Sequence, residues 1–170
     1  MTSTNEIETS SSARRDLENR VAAHPFLAGL NEHQVRLLAD CALLTHFGPG
    51  QKIFGTGETA NRFYLIESGQ VVLEAENDAA TPVVIDKIGA GDLLGWSWIF
   101  PPYTWHFTAR ATQSTDAIFF YGTILRTYCE KDPALGYELF KRMSEVMMKR
   151  LQRARAQLIE AKHGATGSPS

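Results

Sequence analysis

The chain has little cysteine. Cys41 and Cys129 are the two thiols in 170 residues, and they supply neither a disulfide framework nor a paired metal-binding spacing. A reducing compartment, the cytoplasm, is therefore the expected location. His24, His33, His46 and His163 show no metal-ligand spacing with one another, and no metal is expected. No apolar run approaches the roughly 20 residues that a membrane-spanning helix needs. The amino terminus lacks the basic-then-apolar order of a secretory signal. Charge of one sign is missing too: 17 Lys and Arg stand against 19 Asp and Glu, for a net charge of −2. No global field draws such a chain to nucleic acid or anionic lipid. Nothing singles out a nucleophile with its base, so a non-enzymatic protein is expected.

What is present suits one domain with tails, long enough to bury a real core. Residues 1–12, MTSTNEIETSSS, are polar and without periodicity, and are expected to form a disordered arm. Ser10 to Ser12 offer a cap for a helix over 13–23, with Leu17 and Val21 on one face. Asn31 is a good N-cap for a short second helix carrying Val35, Leu38 and Cys41.

From Leu43 the pattern changes to turns (GPGQ, GTGE, ESGQ, ENDAATP, GAGD) between short runs: KIF, RFYLI, VVLEA, VVIDKI and AIFFY. Short β-branched and aromatic runs between regular turns imply an antiparallel sandwich or barrel. Asp132-Pro133 then opens a long helix over 133–162. Along it Tyr137, Phe140, Ser144, Met147, Leu151, Ala154, Leu158 and Ala161 make a heptad-like seam. Phe140, Met147, Leu151, Ala154 and Leu158 are its candidates for pairing with a second copy, and packing against the β-domain is the competing use. The basic residues of this helix read as a solvated face. The tail HGATGSPS, 163–170, is expected to be disordered.

The densest feature is GWSWIFPPYTWHF, residues 95–107, which holds all three tryptophans. Tryptophan is costly to leave in water, so this stretch is a pocket wall, a plug of core or a contact patch.

A helical lead, a glycine-punctuated β-domain and one long helix together resemble the cyclic-nucleotide-binding domain. That module is the sensor of catabolite-activator and fumarate-nitrate-reductase regulators, of cyclic-nucleotide-dependent kinases and of gated channels. The resemblance runs from His24 to Leu158 and is carried by HPFLAGL, by FGPG before a strand, by FYLIESGQVVLE, by GAGDLLG and by HFTARA. It implies a mainly β fold: a double-stranded β-helix (jelly-roll) barrel with amino-terminal helices and a long carboxyl-terminal helix.

It also implies that residues 95–108 occupy the family's ligand loop, making Gly95, Trp96, Ser97, Trp98, Trp105, His106, Phe107 and Thr108 the pocket candidates. Laid on the family pattern, Trp96 stands where a ribose-binding glutamate belongs, and Trp105 where a phosphate-binding arginine belongs. A one-residue shift puts His106 at the arginine position but restores no glutamate. Losing two hydrogen bonds to charged groups removes roughly 3–6 kcal/mol. That weakens binding on the order of a hundredfold to ten-thousandfold.

Cyclic AMP or GMP is thus disfavoured as ligand. His106, alone among aromatics, suits a hydrogen-bonded structural role better than heme ligation, and no cofactor is expected. No helix-turn-helix domain, and so no direct DNA binding, is expected either. The expected function is a regulatory or sensor module responding to a small apolar or aromatic ligand or a protein partner. A cyclic-nucleotide sensor with an altered site and a ligand-free dimerising scaffold are the alternatives.

Overall fold

The structure, a computed structural model, describes residues 3–76 and 81–165. Three helical segments lead: α1 (Ser3–Ala23), a 3-10 turn (Pro25–Leu27) and α2 (Glu32–Asp40). Eight strands follow: β1 (Ala42–Phe47), β2 (Lys52–Phe54), β3 (Arg62–Ser68), β4 (Gln70–Ala75), β5 (Val83–Gly89), β6 (Leu93–Leu94), β7 (Thr108–Ala111) and β8 (Thr115–Tyr121). Helices α3 (Gly122–Lys131) and α4 (Pro133–Ala165) follow the strands.

The strands form two four-stranded sheets, ordered β1-β8-β3-β6 and β2-β7-β4-β5. Every pairing is antiparallel. The jelly-roll reading holds, with one correction: the sheets face each other as a sandwich and do not close into a barrel.

β3 shows why its sequence reads as one apolar run. Side chains alternate along a strand, and both faces of β3 are covered. Phe63 and Leu65 join the core under the helices, and Tyr64 and Ile66 join the core between the sheets. β8 repeats this, with Ile118 and Phe120 toward the helices and Ala117 toward the opposite sheet. The rings of Phe63 and Phe120, directly paired across the strands, stack at 4.6 Å.

The helix ends follow local chemistry. Asn31 Oδ1 accepts from Gln34 N at 2.9 Å, and Gln34 Oε1 accepts from Asn31 N at 3.1 Å, a reciprocal capping box. Asp132 Oδ1 accepts from Leu135 N at 3.2 Å, capping α4 as its Asp-Pro start implies.

Three boundaries differ from expectation. α1 begins at Ser3, so most of the supposed arm is helical. No glycine or proline interrupts residues 3–23, and serines 10–12 lie inside the helix instead of capping it. α3 was not legible, because its residues include glycine and β-branched Thr123, Ile124 and Thr127; burial of Leu125 gives it an anchor. α4 continues three residues past Lys162, through Ala165. Residues 1–2, the turn at 77–80 and the tail at 166–170 lie outside the described residues.

α4 docks through its first half. Leu135, Leu139 and Met143, one turn apart, are fully buried. Two arginines then cap backbone carbonyls of the β-domain and its lead: Arg142 Nη1 donates to Phe26 O at 2.8 Å, and Arg150 Nη2 donates to Leu93 O. No helix among the described residues is long and apolar enough to cross a membrane.

His24 locks the helical lead to β3. Its Nε2 donates to Ile66 O at 3.0 Å while its Nδ1 accepts from Phe26 N at 3.2 Å. Burial pushes its pKa below the ordinary 6.5, outweighing the opposing pull of Ile66 O, Glu67 and Asp92. The unfolded chain therefore takes up this proton more readily, and stability is lost as pH falls below about 6.5. The urea midpoint is expected to drop between pH 7.5 and 5.5, and His24→Asn, which keeps an acceptor for the turn, is expected to flatten that slope. An unchanged slope in the variant rules out His24 as its source.

Candidate functional site

The segment joining β6 to β7 begins at Gly95, whose φ of +89° favours glycine. A Cβ there would also come within 2.8 Å of the Trp105 ring. Gly95 is thus required twice, by its backbone and by the indole lying against it.

Trp105 lies flat on Phe54, with ring centroids 3.8 Å apart and planes 13° from parallel. Its backbone is pinned on both sides. Trp105 N donates to Glu58 O at 3.0 Å, and Trp105 O accepts from Gly57 N at 2.8 Å. The ring is 3% exposed and belongs to the core between the sheets.

Beside it remains a cavity of about 40 Å³, lined by Phe54, Leu73, Gly95, Trp96, Ser97, Trp105, His106, Phe107 and Arg150. Small-molecule pockets usually span about 300–1,000 Å³, so this one has room for little more than a few waters. Six of the eight expected pocket residues meet here. The other two do not. Trp98 packs on Phe63 at 5.4 Å in the core under the helices, against the first residue of α3, where a Cβ on Gly122 would clash with it. Thr108 sits on β7, its Oγ1 accepting from Thr56 N at 3.2 Å.

Phe54, Leu73 and above all Arg150 were not foreseen at the site. Arg150 is one of several basic residues on a helix that reads as a solvated face, and only the docking of α4 buries it. Its guanidinium carbon lies 4.9 Å from the Trp96 ring centroid, and Nε is 3.5 Å from Asp86 Oδ2. Burial lowers its pKa and Asp86 opposes that shift; an arginine stays cationic in either case. Asp86 also meets Arg153 at 3.3 Å.

Leu73, Trp96, Phe107 and Arg150 are shared with a second, larger cleft of about 470 Å³. Asp86 and Ile85 of β5 and Met147, Leu151, Arg153, Ala154 and Gln157 of α4 complete it.

The seam candidates on α4 divide. Met147 is partly buried against the core, whereas Phe140, Leu151 and Leu158 are exposed, as is Ala154. Tyr137, Phe140, Met148, Leu151, Leu158 and Ile159 are all exposed. At 100° per residue they fall within an arc of about 100°.

Two other groups have chemical potential on paper. Ser114 Oγ, His46 and Asp116 form a chain at 3.4 and 2.8 Å, the order of a nucleophile, base and orienter. His46 and Asp116 are more than half exposed, and none of the three lines the clefts above, so substrate would be neither held nor desolvated there. Cys41 is buried, its thiol pushed up to about 12 by burial and donating to Leu38 O at 3.2 Å. It is a packing residue, not a nucleophile.

The sequence profile of the cyclic nucleotide-binding domain matches residues 44–132, and the chain belongs to that family. None of the curated proteins compared with it matches. Among solved structures, it is similar to a Geobacter metallireducens GS-15 protein assigned as cyclic nucleotide-binding. The identity is 26% and the TM-score 0.70, over 79% of this chain and 97% of that one. A cyclic nucleotide-binding domain from Methylobacillus flagellatus KT gives 16%, 0.73, 88% and 84% for the same measures. The sensor domain of the transcriptional regulator DNR from Pseudomonas aeruginosa gives 17%, 0.67, 82% and 93%.

The contact between Gly95 and Trp105 has a measurable signature. Trp105→Ala is expected to cost about 3–5 kcal/mol through cavity formation, and Gly95→Ala about 1–3 kcal/mol through strain and overpacking. In the double variant the overpacking is relieved, so the two costs are expected to fall short of additivity by about 0.5–3 kcal/mol in urea denaturation. Strict additivity would show that the ring does not press on this glycine.

Proposed function

We propose that this chain is a non-enzymatic regulatory module whose ligand site no longer receives cyclic AMP or GMP in the family's usual manner. The observation carrying the reading is the burial of Trp105 on Phe54 and over Gly95, which leaves about 40 Å³ of space. A cyclic nucleotide needs several times that volume. The lining also supports it, because neither Trp96 nor Trp105 can accept a hydrogen bond from a ribose hydroxyl. The free thiols of Cys41 and Cys129 suit work in the cytoplasm. Isothermal titration with cyclic AMP and cyclic GMP to millimolar concentration is expected to give no saturable heat. A stoichiometric micromolar isotherm overturns the reading and favours an altered nucleotide site.

The exposed apolar stripe of α4 supports a second element, self-association through that helix. Patches of this kind on a soluble surface mark contact sites, and a parallel pair of helices would cover Phe140, Leu151 and Leu158. Sedimentation velocity across a concentration series is expected to show dimer by high micromolar concentration, and Leu151→Glu is expected to suppress it. A strict monomer over that range removes the pairing from the proposal.

A further inference from the structure

The small cavity and the larger cleft meet at Arg150, and the polar groups there are unevenly matched. Arg150 Nη1 and Trp105 Nε1 are both buried and have no hydrogen-bond partner among the described residues. Both residues line the small cavity. The arginine's other nitrogens are engaged, Nη2 by Leu93 O and Nε by Asp86. Two donors without a protein acceptor are costly to keep buried, and a group bearing acceptors would satisfy both.

The cleft beyond supplies the rest of a binding site. Its volume of about 470 Å³ falls in the range of small-molecule pockets, about 300–1,000 Å³. Leu73, Ile85, Trp96, Phe107, Leu151 and Ala154 give it an apolar wall with two aromatic members. Its charged lining residues are Arg150, Arg153 and Asp86, which leaves one positive charge in excess.

From this we infer that the cleft between α4, β5 and the aromatic loop binds a small planar organic carboxylate, with its acid group on Arg150 and its flat body along Trp96 and Phe107. The inference rests on the reading that cyclic nucleotides are excluded. A carboxylate fits the donors better than a nucleotide does, because it brings acceptors only. A ribose would bring hydroxyl donors as well, and Asp86, the carboxylate lining the cleft, is already engaged by two arginines. Asp86 also keeps a partner in Arg153 if Arg150 turns toward the ligand. Planar guanidinium–carboxylate pairing and the aromatic wall then select for charge and shape together.

The test compares trans-cinnamate with its neutral isostere cinnamamide by isothermal titration on the full chain. Cinnamate is expected to bind about tenfold to a hundredfold more tightly than the amide. Arg150→Gln is expected to abolish that preference and Arg155→Gln, an exposed change on the same helix outside the cleft, to retain it, with circular dichroism verifying that each variant folds. The acid-against-amide comparison on the unaltered chain stands without either variant. Equal binding of acid and amide, binding of neither at millimolar concentration, or a preference that survives Arg150→Gln overturns the inference. Those outcomes leave the nucleotide reading intact, whereas a micromolar cyclic-nucleotide isotherm overturns that reading separately.

Discussion

The indole of Trp105 fills the space between Phe54 and the bare α-carbon of Gly95, and much of the molecule is arranged around that fact. Burying so large a ring between two sheets stabilises the sandwich, but it occupies volume where a ligand would otherwise lie. The loop must then return along residues 57–60, because the backbone on both sides of Trp105 is hydrogen-bonded there. Trp98 goes the opposite way, into the core under the helices. Trp96 is left at the edge, facing α4, where Arg150 covers it.

The same arrangement divides α4 energetically. Burial of Leu135, Leu139 and Met143 contributes about 5–9 kcal/mol before entropy is counted, at about 1.5–3 kcal/mol per side chain. Past Arg150 and Arg153 the helix has only exposed residues up to 163. Exposed ion pairs such as that of Arg153 contribute about 1 kcal/mol or less. The amino-terminal half is thus part of the core, and the last three turns depend on whatever covers their apolar stripe. Arg150 stands at the border, and its contacts tie the aromatic loop to the start of the exposed portion.

Much of the fold could be read from residue order. The turn glycines, the capping box at Asn31 and the Asp-Pro start of α4 all act locally, through backbone conformation and nearby hydrogen bonds. The position of the aromatic loop was equally legible, since three tryptophans in one loop leave few places to put them. What could not be read depends on tertiary contact. Arg150 looks like any other basic residue of its helix until docking buries it. Trp98 and Trp105 are alike in sequence, yet they enter different cores because the loop reverses between them. The seam on α4 was visible as a pattern, but the residues that dock, Leu135, Leu139 and Met143, lie on a neighbouring face, and nothing local distinguishes the two.

The grouping of every tryptophan in one loop makes the chain its own optical probe. Trp98 and Trp105 emit from dry surroundings and Trp96 from beneath a guanidinium, so intrinsic fluorescence excited at the indole band reports on this loop with no background from elsewhere. A shift in emission colour without loss of helical signal would place a structural event in the loop. One confined to Trp96 would place it at the edge where the loop meets α4.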